Sequence, residues 1–298
     1  MKTIHSSTAL FNNYNQINCR GKLLDLSAPK VMGILNLTPD SFFDGGKFTE
    51  EKAIIKQAGK MLSEGADIID VGAHSTRPGA KIVSEATELK RLLPAINSIL
   101  AKYPDAIISV DTFRASVARK CIDTGAAIVN DVSGGDLDKK MFSTVTELNV
   151  PYILMHMKGT FATMQKDPVY KDVVSEVTGH LLKKITKLRK MGLRDLIIDP
   201  GFGFGKTVEH NYELLNALPS FGLHGCPVLA GISRKSMICK VLKINPEKAL
   251  NGTTALNMVA LMKGASLLRV HDVKEAVEVV KLYGKINDAG KRSLVISH

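Results

Sequence analysis

Short apolar runs alternate with longer amphipathic stretches along nearly the whole chain. The runs are rich in β-branched residues and apolar on both faces, which is typical of strands in a parallel sheet that is covered on both sides. We predict eight strands from this pattern: Val31–Leu37, Asp67–Val71, Ala106–Val110, Ala127–Asn130, Tyr152–Met155, Leu196–Ile198, Val228–Ala230 and Ser266–Val270.

Helical patterns lie between these strands. In Glu50–Glu64, Ala255–Lys263 and Val273–Tyr283, for example, apolar residues recur at helical spacing. Eight β/α units in a chain of 298 residues predict an α/β fold, a single TIM-type (β/α)8 barrel. Periodicity does not show closure of the sheet, so an open doubly wound sheet is the alternative.

A short hairpin is expected before the first barrel strand. A turn at Asn18–Lys22 separates two short segments, and we expect them to cover the bottom of the barrel. The sequence has no internal repeat and no Pro/Ser-rich linker. We therefore predict one domain over residues 1–298.

The basic composition favours acidic partners without identifying one. The net charge is +11 and the pI is near 9.4, which leaves nucleic-acid binding open on charge alone. In the densest basic run, Lys183–Lys190, the apolar residues Leu181, Leu182, Ile185 and Leu188 indicate one buried side of a solvated helix. Aromatic residues make up 5% of the chain and Trp is absent, which argues against stacking surfaces for single strands. We predict no nucleic-acid partner.

The four cysteines form no CxxC or Cys/His metal pattern. Cys121 and Cys226 lie in or beside apolar stretches, so we predict buried thiols. Residues 1–18 are polar and carry no visible signal peptide, and no apolar run approaches the length of a membrane span. The expectation is a soluble, cytoplasmic protein with no membrane partner.

Polar side chains follow the predicted strands, and in a barrel these positions meet at one rim. Asn36 offers a carbonyl oxygen that suits Mg²⁺. Asp111, Asn130 and Asp199 come at three other strand ends, where they could read a heterocycle with alternating donors and acceptors. One such Asp could simply cap a helix, but three converging residues favour a binding site.

Candidate anion-binding groups occur in two places. Arg77 lies in a loop bounded by Pro and Gly, where a solvated arginine is the alternative. Arg269 and His271 alternate on the last strand, near the phosphate site that recurs after strands seven and eight of this fold. The glycine-rich loop at 201–207 does not match a P-loop, because Pro200 stands where Gly is required. No nucleophile is evident, which indicates an enzyme that lets two substrates react directly.

Five motifs in this order resemble those of the dihydropteroate synthase family. They are MGILNLTPDSF with DGG at Met32–Gly46, STRPGA at Ser75–Ala80, DPGFGFGK at Asp199–Lys206, SRKS at Ser233–Ser236 and RVHD at Arg269–Asp272. The resemblance implies that a pterin pyrophosphate is condensed with p-aminobenzoate, in folate biosynthesis, to give 7,8-dihydropteroate and pyrophosphate. It also implies Mg²⁺ as cofactor and a homodimer.

The resemblance assigns roles to residues of each motif. The pterin would be held by Asp111, Asn130, Asp199 and Lys235. The pyrophosphate would be bound by Arg269, His271 and, through Mg²⁺, Asn36. Phe204 and Ser236 would help to form the p-aminobenzoate pocket, while Thr76, Arg77 and Pro78 would belong to the second mobile loop. The expected catalytic residues are Asp44, which would steady the developing positive charge, and Arg77, Lys235, Arg269 and His271.

The chain departs from the family pattern at His74, where an acidic residue usually precedes Ser-Thr-Arg-Pro. This replaces an anion by a neutral or cationic ring, and we expect altered contacts of the second loop rather than lost activity. The loop after Asp199 has no insertion of the kind found in sulfonamide-resistant relatives, so we predict sulfonamide sensitivity. The alternatives are a methyltetrahydrofolate-type pterin methyltransferase, which has no use for a pyrophosphate clamp, and an inactive pterin-binding paralogue.

Overall fold

A computed structural model describes residues 16–37, 47–74, 83–161, 163–164, 168–222 and 224–295, without the side chains of 47–50 and 290–295. The strands are β1 Gln16–Cys19, β2 Lys22–Asp25, β3 Lys30–Asn36, β4 Ile68–Gly72, β5 Ile108–Asp111, β6 Ile128–Asp131, β7 Tyr152–Met155, β8 Leu196–Asp199, β9 Leu229–Ala230 and β10 Leu267–Val270. The helices are α1 Lys47–Ser63, α2 Glu85–Lys102, α3 Ala115–Thr124, α4 Met141–Leu148, α5 Val173–Lys190, α6 Val208–Asn216, α7 Leu218–Gly222, α8 Ser236–Leu242, α9 Leu250–Met262 and α10 Val273–Val295, with a 3₁₀ turn at Pro246–Lys248.

The eight strands from β3 to β10 close into a parallel barrel. Their order in the sheet is β8-β7-β6-β5-β4-β3-β10-β9. A parallel bridge between Ile198 and Val228 joins the two ends of this order, and the Ile198 N–H donates to the Pro227 carbonyl at 3.0 Å. The prediction of a (β/α)8 barrel is confirmed, and the open sheet is excluded.

The N-terminal hairpin closes the bottom of the barrel, as predicted. Ile17 and Leu24 of the hairpin belong to one buried cluster with barrel residues such as Met32 and Ile197. The turn between β1 and β2 uses two left-handed residues, Arg20 at φ 57° and Gly21 at φ 86°. Because the hairpin seals the lower end, access to the interior is left to the rim at which the parallel strands end.

All eight predicted barrel strands are present, and each end lies within two residues of its predicted position. The predicted helix Ala255–Lys263 begins earlier, at Leu250, and the helix expected to end at Tyr283 continues to Val295. Gly252 lies near the true start of α9, and Gly284 follows the predicted end of α10. Because glycine is a poor helix former, the local sequence favours shorter helices at both places. Tertiary packing offsets this cost in α9, where Thr253 and Asn257 are buried.

The basic run lies on α5, with Leu181, Ile185 and Leu188 buried as predicted. Leu182 is 43% exposed, so its expected place on the buried face was wrong. It is one residue from Leu181 and therefore about 100° around the helix. Within the described residues, no helix is long and apolar enough to cross a membrane.

Candidate active site

Strand alternation brings polar side chains into the upper barrel. Met32 of β3 faces the interior cluster, so Asn36, four residues later, shares its side of the strand. Asp111 of β5 is aligned with Asn130 of β6, and both are buried. Asp199 ends β8 and is 4% exposed. The predicted convergence of Asp111, Asn130 and Asp199 at one rim agrees with these positions.

Arg269 is held by two carboxylates at the centre of this rim. Its Nε donates to Asp70 Oδ2 at 2.7 Å, and its Nη2 donates to Asp111 Oδ2 at 2.8 Å. The sequence led us to expect Asp111 to be a pterin acceptor and Arg269 an anion clamp, and it did not suggest that they pair. Burial raises the pKa of Asp111, repulsion from Asp70 adds to this, and the Arg269 guanidinium opposes it.

Sequence reasoning missed Asp70. It lies inside β4 with no exposed surface, and its Oδ2 also accepts a hydrogen bond from Asn130 Nδ2 at 3.0 Å. A signal was present, because an acidic residue inside an otherwise apolar strand must find a charged or polar partner. The search for polar residues was confined to strand ends, and Asp70 falls two residues before the end of its strand.

Lys235 and Asp199 both border Gly231. A Cβ added at Gly231 would lie 3.6 Å from Lys235 Nζ and 3.7 Å from Asp199 Oδ2. Lys235 Nζ donates to the Phe202 carbonyl at 2.5 Å and lies 4.8 Å from the centre of the Phe204 ring. Burial lowers the pKa of Lys235 to about 8, although Asp199 opposes the shift. Burial raises the pKa of Asp199, against the influence of Lys235.

The glycine-rich loop after β8 is fixed from below by Lys206, which sequence reasoning also left without a role. Lys206 Nζ donates to the carbonyls of Gly201 at 2.9 Å and Phe204 at 3.0 Å. Gly201 has a φ of 73°, and an added Cβ there would stand 1.9 Å from the His156 carbonyl oxygen. The loop therefore packs directly on the end of β7. His156 comes directly after a predicted strand, and this position was a sequence signal that it lies near the site.

The last two barrel loops are joined by side-chain contacts. The Ser233 hydroxyl lies 3.0 Å from His271 Nδ1 and also accepts the His271 backbone N–H at 3.2 Å. Arg234 Nε donates to Asp272 Oδ2 at 3.0 Å, while Arg234 itself adopts a left-handed conformation with φ 57°. Ser233 thus orients the His271 ring, and the Arg234–Asp272 pair holds the two loops together.

His74 is a buried, neutral ring. It is 5% exposed, and burial lowers its pKa to about 4. Its ring meets that of Phe113 edge-on with a centroid distance of 5.3 Å, and Nδ1 lies 3.7 Å from Glu88 Oε1. Of the two states expected from the sequence, the buried environment selects the neutral one.

Comparison with known proteins decides the family. The model of the family described as "Pterin binding enzyme" matches residues 32–271. The dihydropteroate synthase of Escherichia coli K12 is 44% identical over 265 residues, which cover 88% of this chain and 93% of that protein. The chain belongs to the dihydropteroate synthase family. The family consists of transferases of folate biosynthesis, and dihydropteroate synthesis is the function of this chain.

Solved dihydropteroate synthases share the fold over almost their full length. The Yersinia pestis enzyme, solved with a sulfonamide drug, has a TM-score of 0.86 and 39% identity, covering 92% of this chain and 99% of that one. The Xanthomonas albilineans enzyme in complex with 7,8-dihydropteroate has a TM-score of 0.82 and 38% identity, covering 91% of this chain and 98% of that one.

Of the remaining residues expected from the synthase motifs, two lie within the described part of the chain. Phe204 lies in the glycine-rich loop, and Ser236 is the exposed first residue of α8, next to Lys235. The predictions for Asp44, Thr76, Arg77 and Pro78 lie outside the described residues. Among the described side chains, no group of three or more His, Cys, Asp or Glu residues could hold a metal ion.

Proposed function

We propose that the rim residues divide the condensation into a pterin pocket, a pyrophosphate end and a p-aminobenzoate side. The observation that carries this proposal is the partly buried set in which Arg269 pairs with Asp70 and Asp111, while Lys235 and Asp199 both border Gly231. Two cations and two carboxylates at the rim, with Asp70 beneath them, suit a substrate that is a polar heterocycle at one end and an anion at the other.

In this proposal, the pterin edge is read by Asp111, Asn130, Asp199 and Lys235. Asp111 Oδ1 is buried and has no hydrogen-bond partner within the described part of the chain, so it can accept a donor from the ligand. A 2-amino-4-oxopteridine offers such donors on its guanidine-like edge. The Xanthomonas albilineans enzyme, which was solved with 7,8-dihydropteroate, supports a ligand of this class.

The pyrophosphate end is assigned to Arg269, His271 and Asn36. Asn36 ends β3 on its interior side and offers a neutral oxygen donor. The donor set fits Mg²⁺ carried by the substrate, because this ion is usually held by one or two protein groups together with phosphate oxygens. When bound, Mg²⁺ would supply positive charge that lowers the energy of the departing pyrophosphate.

The mechanism is a dissociative substitution. The bond between the pterin methylene and the pyrophosphate oxygen breaks with its electron pair leaving on oxygen, while Arg269 and His271 hold the leaving group. The positive charge on the methylene is favoured by the carboxylates Asp111 and Asp199. The amine of p-aminobenzoate then attacks this carbon, and the proton that its nitrogen loses passes to water or to the departing pyrophosphate. No protein nucleophile is required.

The p-aminobenzoate pocket is assigned to Phe204 and Ser236, the second loop to Thr76, Arg77 and Pro78, and the developing charge to Asp44. Phe204 provides an aromatic face beside the Lys235 ammonium group. A second Xanthomonas albilineans structure, solved with 4-aminobenzoic acid, supports this substrate class.

A pyrophosphate-release assay tests the proposal. The pterin pyrophosphate and Mg²⁺ are supplied with and without p-aminobenzoate, and both pyrophosphate and dihydropteroate are measured. We expect product only with both substrates, and pyrophosphate release that falls when Mg²⁺ is chelated. Lys235→Ala and Asp199→Ala should each weaken pterin binding, measured by calorimetry. Unchanged pterin affinity in both variants would contradict the pocket assignment.

Two further expectations stay proposals. A homodimer is supported by exposed apolar side chains on α8 and α9, namely Val241, Leu242, Leu250 and Met262. Light scattering after gel filtration tests it, and a monomer mass at working concentrations would exclude it. A cytoplasmic location is in keeping with the free thiols of Cys19, Cys121, Cys226 and Cys239.

A further inference from the structure

Asp70 lies deeper in the barrel than the residues assigned to the substrate. It is aligned with Ile34 of β3 and Ser109 of β5, and it has no exposed surface. Asp111 comes two residues after Ser109 and is therefore closer to the rim. A pterin that enters from the rim would meet Asp111 before it could reach Asp70.

The Asp70 carboxylate connects two substrate residues from different strands. Its Oδ2 accepts from Arg269 Nε at 2.7 Å and from Asn130 Nδ2 at 3.0 Å. These donors come from β10 and β6, which lie on either side of β4 in the sheet. One oxygen atom thus fixes both a residue assigned to the pyrophosphate and a residue assigned to the pterin.

We propose that Asp70 is a positioning residue that fixes the Arg269 guanidinium and the Asn130 amide before the pterin substrate binds. The inference rests on the function proposed above and deepens it. Asp70 acts through these two side chains and touches neither substrate.

The effect on Asn130 follows from the chemistry of the amide. An ionised carboxylate accepts hydrogen bonds and cannot donate them, so the amide must turn its Nδ2 toward Asp70. Asn130 Oδ1 then faces away from Asp70, as an acceptor for the ligand. A neutral amide or hydroxyl at position 70 would accept either orientation of Asn130, and half of the molecules could present the wrong atom to the pterin.

The effect on Arg269 follows from its two anchors. Nε is held by Asp70 and Nη2 by Asp111, and two points on a planar guanidinium define its orientation. Removal of Asp70 leaves one anchor, about which the group can rotate. Pre-organised charge is what lowers the barrier to departure of an anionic leaving group.

The second Asp70 oxygen argues against a purely structural role. Oδ1 is buried and accepts no hydrogen bond from any described residue. Such an oxygen costs stability, because its hydration is lost without compensation. The recorded hydrogen bonds of the Asp70 carboxylate therefore go to Arg269 and Asn130 alone, both of which are assigned to the substrate.

The first experiment uses Asp70→Asn, which preserves shape and removes the charge, with Asp70→Ser as a second version if the first does not fold. We expect kcat/KM for the pterin substrate to fall about 100-fold, since small misplacement of binding groups has effects of this size. The KM for p-aminobenzoate should change by less than about twofold. Equal losses for both substrates that follow the melting temperature would overturn the proposal.

Asp131→Asn provides the matched control. Asp131, like Asp70, is a fully buried carboxylate on a barrel strand, but it accepts from Ser133 Oγ at 2.7 Å and Tyr152 Oη at 2.8 Å, on the other side of β6. We expect this variant to melt at a lower temperature with unchanged kcat/KM for the pterin substrate. If Asp131→Asn reproduces the kinetic loss of Asp70→Asn, the role of Asp70 is general packing.

A double-mutant cycle tests the route through Asn130. Asp70→Asn is combined with Asn130→Ala, and calorimetry measures the affinity for 6-hydroxymethyl-7,8-dihydropterin, which needs no turnover. The loss caused by Asp70→Asn should shrink about tenfold in the Asn130→Ala background, because coupled residues are not additive. Full additivity would refute the positioning of Asn130. Absence of condensation by the wild-type protein would instead refute the proposed function.

Discussion

Lys206 Nζ lies 3.0 Å from His156 Nδ1 in a place where each residue is only 4% exposed. A lysine ammonium group has no acceptor, so a charged Lys206 must donate to an unprotonated His156 Nδ1. Burial lowers the pKa of His156 to about 2 and that of Lys206 to about 7. The pair holds the glycine-rich loop that carries Phe204.

This lysine should make the protein more stable as the pH rises from about 7 to 10. In that range the unfolded chain still binds the Lys206 proton, whereas the folded protein has released it. The free energy of unfolding therefore rises with pH, by up to about 1.4 kcal/mol per pH unit. Urea unfolding of wild type and Lys206→Met at pH 7 and 9 measures the difference, and the variant should lose this slope.

Lys158→Met is the control for Lys206→Met. Lys158 is 42% exposed at its side chain and pairs with Glu176 at 3.1 Å on the surface. Its removal should leave most of the pH slope of the wild type, because Lys158 makes only a small contribution to the lowered pKa of Lys206. An identical slope in wild type and Lys206→Met would show that Lys206 stays charged inside the loop.

Pterin affinity should fall as the pH rises through about 8. Burial lowers the pKa of Lys235 to this value, and only the charged form below it offers three donors beside Asp199. Calorimetry of the pterin between pH 6.5 and 9.5 measures the profile. In Lys235→Met, binding should be weaker and this decline should disappear. A flat wild-type profile would contradict the role of the Lys235 charge.

His74→Glu restores the acidic residue of the family motif and should destabilise this chain. The new carboxyl would lie near buried Glu88, and both cannot easily ionise. Folding then raises the pKa of the two carboxyls at positions 74 and 88. The variant therefore loses stability as the pH rises above the pKa that a glutamate has in the unfolded chain. Relative to His74→Gln, we expect a loss of about 1–3 kcal/mol at pH 7.5 and little at pH 4.5. Urea midpoints that are equal at both pH values would exclude this repulsion.

Sulfamethoxazole should inhibit the enzyme in competition with p-aminobenzoate. The expectation rests on the uninterrupted motif Asp199–Lys206 and on Phe204, which this loop holds beside Lys235. The measurement is the initial rate at several concentrations of both compounds. Full activity with drug far above the KM for p-aminobenzoate would contradict the prediction.

The strand pattern was sufficient to predict eight parallel strands, because strands buried on both faces leave a strong signal in sequence. Closure of the sheet did not follow from that pattern, because it depends on the pairing of Ile198 with Val228. The hairpin beneath it was also anticipated, from the turn at Asn18–Lys22. The ends of α9 and α10 were not, since packing there overrides the poor helix propensity of Gly252 and Gly284.

The site could be predicted as a collection of residues but not as a network. The rim position of Asp199 followed from strand ends, whereas the pairing of Arg269 with Asp70 joins residues that are 199 positions apart. Local patterns carry no information on such partners. The neutral state of His74 likewise depends on burial beside Phe113, which only the folded chain defines.

The barrel is joined between β8 and β9 by a single bridge, at Ile198 and Val228. A structure opens first where few backbone hydrogen bonds must break. Asp199 lies on one side of this seam and Gly231 on the other, so local opening of the barrel should begin next to the pterin pocket. A bound pterin that contacts both sides would oppose this opening. Amide hydrogen exchange at Ile198 should therefore be slower when the pterin is bound.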